Sequence, residues 1–277
     1  MTAERTLPLP GLASAPRPNF AWARHYLRSR AFGWTLVALM LVAWQVTASA
    51  IFMPELPSLS AIGAEWVLQM REGELAPALL ETLRVAAIGY AIAAVAGITV
   101  GFLMGRVRII WAMAEPFVEL LRQIPISAIL PLLILYLGVD DALRIVIVVI
   151  VASFPILLNS FAGARSLSRT MRLTAETFRL SWWQTQVEIG LPAALPYILV
   201  GMRQALAMTL VMAVITGMLA GNSGIGYFIL EAQQVLNVRA LFAGVLTVAA
   251  VGYLLNAIFL LIERRLTRWR AIGTAGD

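Results

Sequence analysis

The amino-acid sequence predicts an all-α polytopic membrane protein with six transmembrane helices. Three observations predict it. Of 277 residues, 60% are hydrophobic and 13% charged, more apolar surface than a water-soluble domain of this length can hide. The apolar residues fall in runs long enough to cross a bilayer, with the charges gathered between them. The arginines are also unevenly shared. For a chain that starts inside and crosses six times, fifteen lie in inside segments, and only Arg71, Arg84, Arg144 and Arg239 lie in outside ones. That asymmetry places both termini in the cytoplasm.

Residues 1–31 are polar and basic, with Arg5, Arg17, Arg24, Arg28 and Arg30 against Glu4. They read as a cytoplasmic tail, too long before the first apolar run for an ordinary signal peptide. Residues 32–75 hold the first span, about 32–52, and a periplasmic stretch carrying Glu55, Glu65, Arg71, Glu72 and Glu74. Within that stretch 59–70 is expected as a short interfacial helix. The second span is about 79–104. Its Gly89, Gly97, Gly101 and Gly105 have the small-residue spacing that lets helix backbones approach closely. Arg106 and Arg108 form a basic turn. The third span lies within 111–137 and is interrupted by Pro116, Pro125 and Pro131, each lacking a backbone donor. A broken helix at membrane depth faces protein or a cavity. Glu119 and Arg122 are spaced i, i+3 and are expected to pair. The fourth span is about 143–161 and the fifth about 197–220. A flexible turn, 221–226, and a short helix, 227–236, lead to the sixth span at about 241–262. Residues 266–277 read as a basic cytoplasmic tail.

Between the fourth and fifth spans, residues 164–192 form the longest polar interval. Ser181-Trp182-Trp183-Gln184 fits a capping box, so one helix ends near Leu180 and the next starts at Trp182. Met171, Ala175 and Phe178 recur at i, i+4, i+7 and are expected to face the protein's own membrane helices. Leu173 and Leu180 fall opposite, flanked by Glu176 and Thr177, and are left for a partner. Ile189, Leu191 and Pro192 are expected to stop the segment and hand over to the fifth span.

Several functions are excluded on composition. There is no cysteine and a single histidine, His25, so thiolate and multi-histidine metal sites are absent. All 21 basic residues are arginine, so the chain cannot supply the lysine of a phosphate-binding P-loop. No nucleophile–base pair stands out, and no cofactor is expected. The net charge of +6 is spread between spans and not along one face, which argues against nucleic acid. What remains is a transport subunit, an ion-gradient-driven secondary transporter, or a non-transporting membrane scaffold. A secondary transporter usually shows inverted repeats and an ionisable residue deep in a span. Neither is visible here.

The loop ending Ile189-Gly190-Leu191-Pro192 resembles the cytoplasmic loop of ABC importer permeases, whose pattern is E-A-A, three residues, G, nine residues, I-x-L-P. Aligned on that end, E-A-A falls on Leu173-Thr174-Ala175 and the glycine on Arg179, so the first glutamate and the glycine are missing. Arg179 in place of glycine predicts a straighter helix. Met53-Pro54-Glu55-Leu56-Pro57-Ser58, the glycines of the second span, Phe154-Pro155-Ile156-Leu157-Leu158-Asn159 and Leu191-Pro192-Ala193-Ala194-Leu195-Pro196 extend the resemblance over residues 76–265. The set is similar to the nitrate, sulfonate and taurine branch.

The resemblance implies a type I permease fold, a five-helix permease domain at 76–265, and alternating access in the bacterial inner membrane for a small anionic solute. It implies a second permease copy, two ATP-binding subunits that carry the ATP, and a periplasmic or lipid-anchored substrate-binding protein. The docking residues for the ATPase would be Leu173, Thr174, Ala175, Glu176, Thr177, Arg179, Leu180, Ser181, Ile189, Leu191 and Pro192. Candidate path residues are Arg203, Gln123, Ser127, Asn159 and Thr209. Arg203 would meet an anion, snorkel to the interface, or pair with Glu119.

Overall fold

The computed structural model describes residues 30–51, 55–71 and 73–268. The two terminal tails fall almost wholly outside these residues, as does Met53-Pro54. The chain divides into two compact units, Met1–Leu59 and Ser60–Asp277.

The first unit holds helix α1 (Arg30–Ile51). Trp34, Leu39 and Met40 are exposed apolar side chains, as the lipid face of a span requires. Its polar residues are satisfied locally. Ser49 Oγ donates to the Gln45 carbonyl at 2.8 Å, and Gln45 Nε2 donates to Ser49 Oγ at 3.3 Å. Beyond the helix, the Pro57 carbonyl accepts from Trp44 Nε1 at 3.1 Å.

The second unit follows with α2 (Leu59–Arg71), α3 (Leu75–Arg106), α4 (Arg108–Leu121), α5 (Ile126–Leu137), α6 (Asp141–Arg165), α7 (Arg169–Thr177), α8 (Trp182–Ala220), α9 (Gly224–Gln234) and α10 (Val238–Leu266). Among the described residues of the chain there is no strand. Among the described residues five helices are long and apolar enough to cross a membrane, or six if α4 and α5 count as one broken span.

The core is a three-helix stack of α3, α6 and α8. Glycine places α3 against α6 at backbone distance. A Cβ at Gly89 would stand 2.6 Å from Val148 Cγ1, and one at Gly97 3.0 Å from Ile156 Cβ. Gly101 lies against the Leu157 backbone and Gly105 against Ala164, so the expected packing role holds along the whole row. The other side of α6 meets α8 in the same way, where a Cβ at Gly201 would stand 2.7 Å from the Pro155 carbonyl oxygen. Tyr90 crosses from α3 to α8, donating its hydroxyl to the Met202 carbonyl at 3.0 Å. Elsewhere Trp66 Nε1 of α2 donates to Thr247 Oγ1 of α10 at 2.9 Å.

The break expected in the third span is present, α4 and α5 meeting at 97°, while three other expectations are corrected. The break falls at Pro125, which cannot donate and pushes Ile124 out of helical geometry. Pro116 and Pro131 sit inside their helices without ending them. The flexible glycine turn is confined to 221–223, because Gly224 and Gly226 already belong to α9. The Ile225 amide donates to Thr82 Oγ1 at 2.8 Å, and Gly226 is pressed against the Val214 carbonyl of α8. Finally, Pro192 does not interrupt the chain between the loop and the fifth span. Helix α8 runs unbroken for 39 residues, with a π-helical stretch at Thr185–Gly190. The Leu191 amide reaches back to the Gln186 carbonyl, and Pro192 has no N–H to lose when the register changes.

Arg144, counted from the sequence in an outside segment, is buried at 1% exposure in the first turn of α6. Its Nη1 donates to Asp141 Oδ1 at 3.2 Å and to Ser223 Oγ at 3.3 Å. Arg84 of α3 extends the cluster by pairing with both Glu81 and Asp141. One charged group thus joins α3, α6 and the α8–α9 turn.

Candidate functional site

The 164–192 interval is built as a helical hairpin. Ser168 caps α7, its Oγ accepting from the Met171 amide at 3.2 Å. At the other end the Leu180 amide donates to the Ala175 carbonyl and the Arg179 amide to the Glu176 carbonyl, both at 3.0 Å. That pair of bonds is a Schellman motif, whose linking residue must be left-handed. Arg179 fills the position at φ +52°. The expectation of a straighter helix is therefore wrong. Arginine keeps the turn that glycine would make, in a conformation that costs a side-chain-bearing residue about 1–2 kcal/mol. Ser181 then starts α8 with the expected capping box. Gln184 N donates to Ser181 Oγ at 3.3 Å, and Ser181 N to Gln184 Oε1 at 2.8 Å.

The hairpin's faces differ from the periodic reading. Of Met171, Ala175 and Phe178, only Ala175 is buried, while Phe178 is 73% exposed. The helix end does not account for this: Met171 lies inside α7 yet is 44% exposed, and the Phe178 amide still donates to the Thr174 carbonyl at 3.0 Å, so the inward face is narrower than the stripe. Leu173 is exposed as expected, at 50%, but Leu180 is half-buried and lines a cavity of about 330 Å³ with Ala175, Leu167, Arg106 and Gln186. Thr174 and Thr177 bond their own helix, to the carbonyls of Thr170 and Leu173. Glu176 is exposed, Ile189 half-buried, and Leu191 and Pro192 exposed. Trp182 and Trp183, not singled out from the sequence, stack edge to face at 4.6 Å, with Trp183 69% exposed. The exposed apolar side chains of the hairpin thus include Met171, Leu173, Phe178, Trp183 and Val187, with Trp182 half-exposed at the rim of the cavity. An apolar cluster of this kind on a polar segment fits a partner.

The candidate path residues do not gather in one place. Arg203 pairs with Glu263 of α10 at 3.4 Å and not with Glu119, which pairs with Arg122 at 2.9 Å as the spacing predicted. Asn159 Nδ2 donates to the Pro155 carbonyl at 2.8 Å and to Gln204 Oε1 at 3.3 Å. Gln204 is a polar neighbour that sequence spacing could not pair with it. Gln123 is exposed in the break between α4 and α5, and Ser127 in the first turn of α5. Thr209 is buried in the core with an unpartnered hydroxyl.

A family model described as binding-protein-dependent transport system inner membrane component matches residues 93–268. A relative from Bacillus subtilis (strain 168), named as an aliphatic sulfonates transport permease protein, is 31% identical over 93% of this chain and 95% of its own length. A bicarbonate transport system permease protein of Synechococcus elongatus is 34% identical over 65% of each chain. A nitrate import permease protein of a Synechocystis species is 29% identical over 82% of this chain and 86% of its own. Among solved structures, an inward-facing methionine ABC transporter superposes with a TM-score of 0.61 at 18% identity, over 70% of this chain and 96% of that one.

Proposed function

The chain belongs to the binding-protein-dependent transport system inner membrane component family, and from that premise we propose how its parts work. It is the membrane permease of an ABC importer, a multi-pass transport subunit. Two ATP-binding subunits, separate chains, dock against the α7–α8 hairpin on the cytoplasmic side. A second permease copy completes the path, and a periplasmic or lipid-anchored binding protein delivers solute from the other side. The solute is a small anion of the kind named for the relatives: a sulfonate, bicarbonate or nitrate. ATP binding moves the hairpin, and because α8 is continuous with it, the spans reorient between inward-open and outward-open states.

The observation that carries this reading is the hairpin's outer surface. Leu173, Phe178 and Trp183 are exposed, while Ala175 is buried and Leu180 lines the cavity. Aromatic side chains dominate interface energetics. Trp183→Asp or Phe178→Asp is expected to weaken ATPase docking by about 2 kcal/mol or more, roughly 30-fold in affinity. The ATPase should then be lost on purification while the permease still inserts. Leu173→Asp should act in the same direction. Leu180→Asp is a different experiment, since it charges the cavity lining and disturbs the hairpin itself. Unchanged co-purification and uptake in both Trp183→Asp and Leu173→Asp would remove the hairpin as the docking surface.

A further inference from the structure

Beneath the hairpin, the cavity of about 330 Å³ holds two arginines from different elements, Arg106 at the end of α3 and Arg172 on α7. Arg106 Nε and Nη2 are buried, and neither has a hydrogen-bond partner. These two nitrogens form the edge of a guanidinium that binds two oxygens side by side. Gln186, 8% exposed, also lines the cavity; its unpartnered Oε1 is an acceptor and stands beside Arg106 Nη2, not as a donor to an anion. Gly190 makes room for these two side chains themselves, since a Cβ there would stand 2.6 Å from Arg106 Nη2 and 3.2 Å from Gln186 Oε1. Arg172 lies within Coulombic reach of Arg106, so two like charges face one space. Glu176 also lines the cavity but makes no ion pair with either arginine, which leaves an excess of positive charge.

We propose that this cavity binds a small oxyanion of the phosphate or sulfate type, bridging the bidentate edge of Arg106 to Arg172. Such an anion satisfies the buried donors, cancels the repulsion, and ties α7 to the last turn of α3. Occupancy therefore holds the hairpin against the membrane core, a regulatory function separate from the outer surface that would meet the ATPase. The oxyanion is either a free ion or the phosphate of an anionic lipid headgroup, since both present the same chemistry.

The test is limited trypsin digestion of the purified full chain at constant ionic strength. The loop offers cleavage after Arg169, Arg172 and Arg179. Replacing chloride with sulfate or inorganic phosphate, in detergent free of anionic lipid, should slow cleavage after Arg172 about tenfold once the anion exceeds its dissociation constant about tenfold. If the protection appears instead in phosphatidylglycerol nanodiscs and not in phosphatidylcholine ones, the occupant is the lipid headgroup. Arg106→Gln should abolish the protection. Arg172→Gln, read by cleavage after Arg179, makes the same point should Arg106→Gln fail to fold. Leu173→Asp, which addresses docking, should keep the protection, so this proposal and the docking proposal fail separately. Equal cleavage in sulfate, phosphate and chloride and in both nanodiscs overturns the site, as does protection that survives both arginine substitutions.

Discussion

Arg179 is a residue-scale test of the hairpin. It holds φ +52° where an arginine is strained and a glycine is not. Arg179→Gly should relax that strain, offset in part by the extra freedom glycine gives the unfolded chain. A net gain of about 1 kcal/mol would slow hydrogen exchange at the Leu180 amide, which donates to the Ala175 carbonyl, about fivefold. A β-branched Arg179→Val should speed it. No change in either variant would mean that the turn is not strained. This residue also shows what the sequence carries. The missing glycine was readable; that arginine would accept the glycine's conformation was not, because the two bonds that enforce it become visible only when Ala175, Glu176, Arg179 and Leu180 are seen together. Arg203 and Glu263 lie 60 residues apart, and no local spacing could pair them. Ser181 and Gln184 form a local device and were readable as such.

At the scale of elements, the glycine row of α3 makes the sharpest prediction. Gly101→Ala drives a methyl into the Leu157 backbone, which cannot swing aside. Overpacking of that kind costs about 1–3 kcal/mol. Gly63→Ala, in α2 with nothing within 4 Å of the new methyl, should do the opposite and stabilise by up to about 1 kcal/mol through helix propensity. Thermal unfolding followed by circular dichroism in micelles separates the two. Equal effects would show that close helix approach does not matter here. Helix positions were legible because long apolar runs and small-residue spacing are local properties. The 97° turn between α4 and α5 was legible only as a break at proline, since its angle depends on what surrounds it. The stripe on α7 groups Met171 and Phe178 with Ala175, yet only Ala175 turns inward, because a short helix does not fix which of its apolar residues the core covers. The π-helical stretch left no sequence signal beyond the proline that tolerates it.

For the whole molecule, the arginine distribution predicts orientation. Reporter fusions at Arg106, Arg172 and Arg268 should read as cytoplasmic, and fusions at Met70, Asp140 and Gln233 as periplasmic. A periplasmic signal at Arg172 would sink the orientation and the docking surface together. With a cytoplasmic signal at Arg172, the buried Arg144 and its more exposed partners Asp141, Glu81 and Arg84 are the fastening at the periplasmic end of the core, opposite the hairpin.

Helix α8 spans roughly 58 Å at 1.5 Å per residue, nearly twice the roughly 30 Å hydrocarbon layer. Gly201 lies at its midpoint between Trp182 and Ala220, where it is pressed against the Pro155 carbonyl with no side chain between. Gly163 lies as close to Ala194 near one end, and Gly226 to Val214 near the other, so the helix is clamped along its length. A beam held that way cannot bend at one point: were the Trp182 end displaced, the load would pass to α6 and α9 together, and the core would have to tilt as one body.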